Sequence, residues 1–123
     1  MSGWGAAELA ALETEELRIA SYRPDGTLRP SVPIWFARLA DEVFVRSAYG
    51  PDNGWFRRAA ASGSGRITAN GLERDVAFER PGPEVDRPLT AAYHAKYDRY
   101  GAKIVGTVVS DDAVRCTLRL VPR

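Results

Sequence analysis

The chain has 123 residues, of which 45% are hydrophobic and 27% charged, and a formal net charge of +1, which describes a single globular domain spanning residues 1–123. This balance excludes the basic excess of a nucleic-acid binder and argues against a polyanionic partner, while the lone cysteine, Cys116, excludes a disulfide framework. No apolar run approaches the roughly 18 residues of a membrane span and no basic-then-apolar leader opens the chain, so a cytoplasmic protein is expected.

Trp4–Leu12 (WGAAELAAL) is rich in Ala, Leu and Glu, which favours a short covering helix. From Glu16 to Tyr22, Leu17, Ile19 and Ser21 alternate with Arg18, Ala20 and Tyr22, the pattern of a strand. Arg23-Pro24-Asp25-Gly26 supplies hairpin-turn chemistry. The next strand, Leu28–Arg38, is apolar on both faces, with Val32, Ile34 and Phe36 opposite Pro33, Trp35 and Ala37, so both faces require cover. Pro30 and Pro33 cannot donate to a ladder, which predicts an edge or a bulge with backbone groups left for a ligand.

After a turn at Ala40-Asp41, Glu42–Ala48 alternates again as a strand. Tyr49-Gly50-Pro51-Asp52-Asn53 reads as a loop whose Asp52 or Asn53 caps a helix over Gly54–Ala61. Gly65–Asn70 and Glu73–Arg80 form two strands joined at Asn70-Gly71, the strongest short hairpin signal in the chain, with Ile67, Val76 and Phe78 facing the core. Pro81–Pro88 reads as a surface connection, and Leu89–Tyr100 as an amphipathic helix stopped by Gly101. Lys103–Val109 is either a strand or a buried connection, and Ala113–Val121 is a strand with Val114, Cys116, Leu118 and Leu120 inward. The sum is a mainly β (α+β) domain, a small closed or nearly closed barrel with short covering helices.

Arg46 stands in an apolar strand, followed by Ser47, a short loop and a helix start. A guanidinium fork, a hydroxyl and free helix amides are the groups that bind phosphate. From the residues alone, Arg46 either serves that role, turns to the barrel rim or pairs with Asp52. Arg57 and Arg58 add to the phosphate reading or form a solvated face. Trp35 and Trp55 suit a flat heteroaromatic ligand, or else belong to the core. Tyr93, Tyr97 and Tyr100 form a packing stripe whose edge can reach a ligand, with the Lys96 stem buried among them and its head free. His94 has no companion for catalysis or metal binding, so it is expected to face solvent, and no metal site is expected. Cys116 reads as a small core hydrophobe, and Asp86, Asp111 and Asp112 as turn or cap residues. A dinucleotide fingerprint is absent, since Gly63-Ser64-Gly65 lies in a hairpin-type connection.

Taken in order, RPDGTLRPSVPIWF, VFVRSAYGPDNGWFRRA, GRI with ERDV, AAYHAKYDRY and TLRLVPR resemble an uncharacterised bacterial family. That family is placed in the split β-barrel superfamily of pyridoxamine-phosphate-oxidase-like flavin-binding proteins, and the resemblance covers nearly the whole chain. It implies a six- to seven-stranded split β-barrel that homodimerises and holds FMN, or the deazaflavin F420, at the dimer interface. By position it implies that Arg29 and Val32, Pro33, Ile34 and Trp35 lie along the ring. Arg46, Ser47, the loop with Asn53, and Arg57 or Arg58 would then meet the phosphate, with Trp55, which opens the helix beside that loop, also counted among the cofactor-binding residues. The chain departs from the oxidases in its loop, which reads Gly50-Pro51-Asp52-Asn53 with no lysine following.

Two functional expectations follow. One is a small FMN- or F420-dependent oxidoreductase, in which the cofactor supplies the hydride chemistry and explains why no acid–base set is visible. The other is a flavin-free small-molecule binding protein, or a cyclase or isomerase, using the same apolar pocket of Trp35, Trp55, Tyr93, Lys96 and Tyr97. A purely structural or regulatory dimer is a third.

Overall fold

The computed structural model describes residues 3–48 and 50–123. In chain order the elements are α1 (Ala6–Ala11), β1 (Glu16–Ser21), β2 (Val32–Leu39), β3 (Glu42–Arg46), α2 (Gly54–Ser62), β4 (Ser64–Ala69) and β5 (Leu72–Glu79). A short 3-10 turn at Pro83–Val85 leads into α3 (Asp86–Tyr97), a second 3-10 turn (Asp98–Tyr100), α4 (Ala102–Val109), α5 (Asp111–Arg115) and β6 (Thr117–Pro122). The six strands close into an antiparallel barrel in the order β1-β2-β3-β6-β5-β4. Among the described residues no helix is long and apolar enough to cross a membrane.

Local chemistry sets the turns. Asn70 (φ 50°) and Gly71 (φ 85°) both take the left-handed region that a two-residue hairpin turn requires, and they join Ala69 to its partner Leu72. The turn after Arg23 likewise uses Gly26 at φ 88°. The period-two pattern then sorts the side chains. Leu17, Ile19, Ile34, Phe36, Val43, Val45, Ile67, Val76, Phe78, Leu118 and Leu120 converge inside the barrel. Trp4 and Leu12 from around α1, and Phe56 and Ala59 from α2, join the same core.

The opposite face of β2 and β3 carries a second core, in which Ala37 and Phe44 pack against Leu89, Tyr93 and Tyr97 of α3 and Val105 and Val108 of α4. This is the cover that a strand apolar on both faces demands. Tyr97 fastens it: its hydroxyl accepts from the Phe36 N–H at 3.1 Å and shares its proton between the carbonyls of Phe36 and Glu15. Lys96 adds a second tie, donating to the Phe36 carbonyl at 3.0 Å with its ammonium 3.4 Å from the centre of the Phe36 ring.

Several sequence expectations are corrected. β2 begins at Val32 rather than Leu28, because Leu28 makes only an isolated bridge to Tyr22 and Pro30 offers no donor. The connection expected over Pro81–Pro88 is already helical from Asp86, since Pro88 lies in the first turn, where its missing N–H is not needed. Lys103–Val109 is neither strand nor connection but α4: Val105 and Val108 are spaced for one helix face, and their burial outweighs the poor helix propensity of β-branched residues. Ala113–Arg115 is helical, with Ser110 capping α5 through Ala113 N–H, so the last strand starts at Thr117. Cys116 is buried, as expected, but precedes the strand, and burial pushes its thiol up. The Lys96 head is engaged rather than free. Of the expected loop, Tyr49 lies outside the described residues.

Two consequences are measurable. A Cβ on Gly65 would lie 2.0 Å from the Ala20 carbonyl oxygen and 2.7 Å from Phe78 Cζ. Gly65→Ala therefore pushes β1 from β4 and is expected to cost about 3 kcal/mol, the upper part of the range for overpacked sites, read as a lowered urea midpoint. An unchanged midpoint would show that the strands yield at this crossing. Burial, helped by the nearby Arg38 charge, pushes the Lys96 ammonium down from its ordinary 10.5 to about 8. Between those values the folded chain carries fewer protons on Lys96 than the unfolded chain, so this residue's contribution to stability rises with pH across that window. The stability difference between the wild type and Lys96→Met should shift in favour of the wild type from pH 8 upward; a flat difference refutes the assignment.

Candidate functional site

The barrel wall opens where β2 and β3 part. β2 is bonded to β1 from Val32 to Trp35, but its ladder to β3 covers only Phe36↔Val45 to Leu39↔Glu42. Past Arg46 the chain follows β6 instead, Ser47 N–H donating to the Cys116 carbonyl at 3.1 Å. The freed edge of β2 lines a cleft of about 490 Å³. Pro33 suits such an edge because it has no N–H to leave unpaired.

Val32, Pro33, Ile34 and Trp35 form one wall; Asn53, Gly54, Trp55 and Arg58 from the start of α2 form another. Ile104, Thr107 and Val108 of α4 face them, with Arg46, Ala48 and Glu16 completing the lining. Trp35 is held in place from behind, stacked on Tyr97 at 3.9 Å and 6°. Trp55 meets Phe56 edge-on at 6.0 Å and packs against the barrel core. Both indoles are therefore positioned before any ligand arrives.

The cleft is electrically polarised along its length. Glu16, the one carboxylate in its lining, is the cross-strand partner of Trp35. Val32 lies three residues away along β2, about 10 Å, and there Arg58 and Arg29 share a recess with Val32 and Trp55. One end of an apolar slot thus presents an acceptor and the other a cation.

The α2 start reinforces the cationic end. Asn53 occupies the N-cap position without capping, because its amide donates to the Ala48 carbonyl at 3.2 Å, and Asp52 provides no cap either. The helix has no acidic residue in its first turn, so its first amides have no side-chain acceptor. Arg58 packs over Gly54: a Cβ there would come within 2.9 Å of its Nη1.

Arg46 occupies the cleft lining but works mostly inward. Only 2% exposed, it donates from Nε to Thr117 Oγ1, from Nη1 to Thr90 Oγ1 (2.8 Å) and the Val108 carbonyl (3.2 Å), and from Nη2 to the Asp86 carbonyl (3.0 Å). It also lies over the Tyr93 ring, whose hydroxyl sits beside the Arg46 backbone and is pushed up by burial. One residue thereby ties β3 to α3, α4 and β6. It neither turns to the rim nor pairs with Asp52. Ser47 is buried and donates to the Gly50 carbonyl at 2.6 Å, fixing the loop.

Of the residues singled out in the sequence, Val32, Pro33, Ile34, Trp35, Arg46, Asn53, Trp55 and Arg58 meet in one cleft. Arg29 and Arg57 line an adjoining trough that shares Gly54 and Arg58 with it. Tyr93, Lys96 and Tyr97 do not line the cleft; they lie behind Trp35, in the second core or tied to β2. Ile104, Thr107 and Val108 went unrecognised although their spacing is helical, and Glu16 enters only through strand register, which local sequence does not encode. His94 is exposed and bonded to Asp98 at 2.7 Å, and among the described residues no cluster of metal ligands exists.

Solved structures share this architecture. A candidate 5-nitroimidazole antibiotic resistance protein of Bacteroides thetaiotaomicron superposes with a TM-score of 0.62 at 17% identity, over 94% of this chain and 76% of its own. HutZ, the heme storage protein of Vibrio cholerae, gives 0.59 at 16% identity, over 100% and 92%. An F420 reductase gives 0.52 at 19% identity, over 93% and 90%. These likenesses establish the split-barrel fold. No curated protein matches the sequence at a significant level. Residues 8–120 match the model of a family described as uncharacterized protein conserved in bacteria (DUF2255), and the chain belongs to that family.

Proposed function

We propose that the protein binds a flavin-type cofactor, FMN or the deazaflavin F420, in the cleft beside β2 and serves as a small oxidoreductase. The observation that carries this reading is the cleft's lining: an apolar cleft walled by Trp35 and Trp55, with Arg58 and the uncapped start of α2 at one side. Its volume of about 490 Å³ lies within the range of small-molecule sites. The residues therefore fit a planar ring carrying a phosphate, and a bound flavin or deazaflavin would supply hydride chemistry. An F420 reductase among the structural neighbours supports the same choice of ligand class.

The chain's own residues then bind and orient. Val32, Pro33 and Ile34 offer an apolar strand edge to one side of the ring, and Trp35 keeps its position because Tyr97 backs it. Arg58 and the first amides of α2 would hold the phosphate. Glu16, the carboxylate in the lining, would accept a hydrogen bond from a donor on the ring. Arg46 positions α4, and with it Ile104, Thr107 and Val108, through the Val108 carbonyl. Ile104 is 48% exposed on the cleft rim, an apolar surface that a second copy covers in the proposed homodimer.

A second reading has one observation in its favour. Arg46 and Ser47 spend their donors inside the fold and the loop carries no lysine, so the phosphate end rests on α2 and its arginines alone. A flavin-free binding protein, or a cyclase or isomerase, would use the same slot for another flat anionic molecule.

Titration with FMN and F420, followed by fluorescence, decides between them. Micromolar binding is expected; a colourless protein that binds neither sinks the cofactor reading. Arg58→Ala should weaken FMN by about 1.5–3 kcal/mol, the worth of a hydrogen bond to a charged group, and leave riboflavin, which lacks the phosphate, unaffected. Equal effects on both would remove Arg58 from the phosphate end. Arg46→Ala, by contrast, is expected to lower the unfolding midpoint strongly, because it strands buried acceptors on three elements.

A further inference from the structure

Trp35 lines the cleft and is also the first ring of an aromatic series that leads to the protein surface. Its ring centre lies 3.9 Å from that of Tyr97, nearly parallel at 6°, and 5.5 Å from that of Tyr100 at 36°. Tyr97 and Tyr100 are themselves 6.5 Å apart. Tyr100 is 43% exposed, so the series begins in the cleft and ends in solvent. Packing accounts for Tyr97, which is buried and bonded to the backbone of Phe36. It does not account for Tyr100. There the hydroxyl donates to the Glu15 carboxylate and accepts from Arg99 at 3.2 Å, and Arg99 pairs with the same carboxylate.

Indole and phenol are the aromatic side chains most readily oxidised by one electron, and transfer between two rings is fast only near contact, where their orbitals overlap. A phenol that has lost an electron is a strong acid, so a tyrosine can hold the oxidation only where its proton has somewhere to go. Tyr97 bonds to backbone groups and burial pushes its phenol up, while the Tyr93 hydroxyl is buried with no hydrogen-bond partner. Of the stacked phenols only Tyr100 has a base at its hydroxyl, the Glu15 carboxylate. We propose that Trp35, Tyr97 and Tyr100 form a one-electron relay that carries oxidising equivalents from the cleft to the protein surface. An oxidising radical in the cleft takes one electron from Trp35 and is thereby reduced. Tyr100 returns that electron to the indole, directly or through Tyr97, and gives its phenol proton to Glu15. A soluble reductant of the ascorbate or thiol class then restores Tyr100 with one electron, and Glu15 returns the proton. One electron has passed from the exterior to the cleft, and the chain ends as it began. The relay goes beyond the cofactor reading, because it belongs to the chain and not to any one occupant of the cleft.

The relay can be tested in the full chain with no ligand, by pulse radiolysis with the azide radical. This radical takes an electron from indole in preference to phenol and becomes azide, and the oxidised indole releases its proton to water. As the electron arrives from Tyr100 the indole regains a proton from water, so the indolyl absorption should decay while a tyrosyl absorption rises quickly, at a rate independent of protein concentration. Tyr100→Phe, which keeps the ring and removes only the hydroxyl of an exposed residue, should abolish the fast rise, as should Trp35→Phe. Glu15→Gln should slow it by about a hundredfold, the lower end of what a positioned base contributes. Tyr22→Phe should leave it unchanged: Tyr22 also bonds to a carboxylate, Asp75 at 2.9 Å, but among the described residues it stacks on neither Trp35 nor Tyr97. A fast rise that persists in Tyr100→Phe or Trp35→Phe, that keeps its rate in Glu15→Gln, or that scales with protein concentration overturns the proposal. The two readings fail separately: a fast rise in a chain that binds no flavin leaves the relay standing and removes the cofactor, whereas FMN binding without the rise removes the relay alone.

Discussion

The structure depends on one broken ladder. β2 stays bonded to β1 at Val32–Trp35 while β3 turns away after Arg46 to follow β6. A barrel gains stability by pairing every strand edge, so an interrupted pair leaves backbone groups that something else must satisfy. Here a proline removes one of those groups, and helices α2 and α4 rise on either side of the gap. The cleft is the space between them.

What keeps the gap from closing or collapsing is the second core on the outer face of β2 and β3. Tyr97 and Lys96 both bond to the backbone of Phe36, the residue at which β2 rejoins β3. Arg46 faces the same junction from the other strand and reaches α3, α4 and β6 at once. A buried cation with several hydrogen-bonded partners is costly to desolvate, but losing any partner costs more, which fixes its surroundings in one arrangement. The cleft wall formed by α4 therefore inherits its position from the barrel.

Much of this was legible before folding was considered. Alternation placed the barrel interior, the Asn70-Gly71 pair located the tightest hairpin, and Pro33 marked the free edge of β2. The apolar character of β2 on both faces announced a cover without saying what it was. Patterns that depend on distant partners were not legible. α4 hides behind β-branched residues because its stability comes from burial against β2 and β3 rather than from propensity. Arg46 carries the right chemistry for phosphate, yet Thr90, Val108 and Asp86, remote in sequence, claim its donors. Glu16 joins the cleft, and Arg23 and Arg29 meet Arg57 and Arg58, only through strand register and helix placement.

Closure of the barrel between β3 and β6 joins Arg46 to Thr117, residues far apart along the chain. Contacts of such sequence separation are slow to form, because loop entropy is lost before they reward it. The cleft borrows its walls from β2, which precedes β3, and from α2 and α4, which lie between β3 and β6 along the chain, so it is complete only when β6 has docked. A ligand therefore has nothing to recognise in partly folded chains and shifts the population toward the closed barrel by mass action. Anything that binds this cleft adds its binding free energy to the stability of the closed barrel.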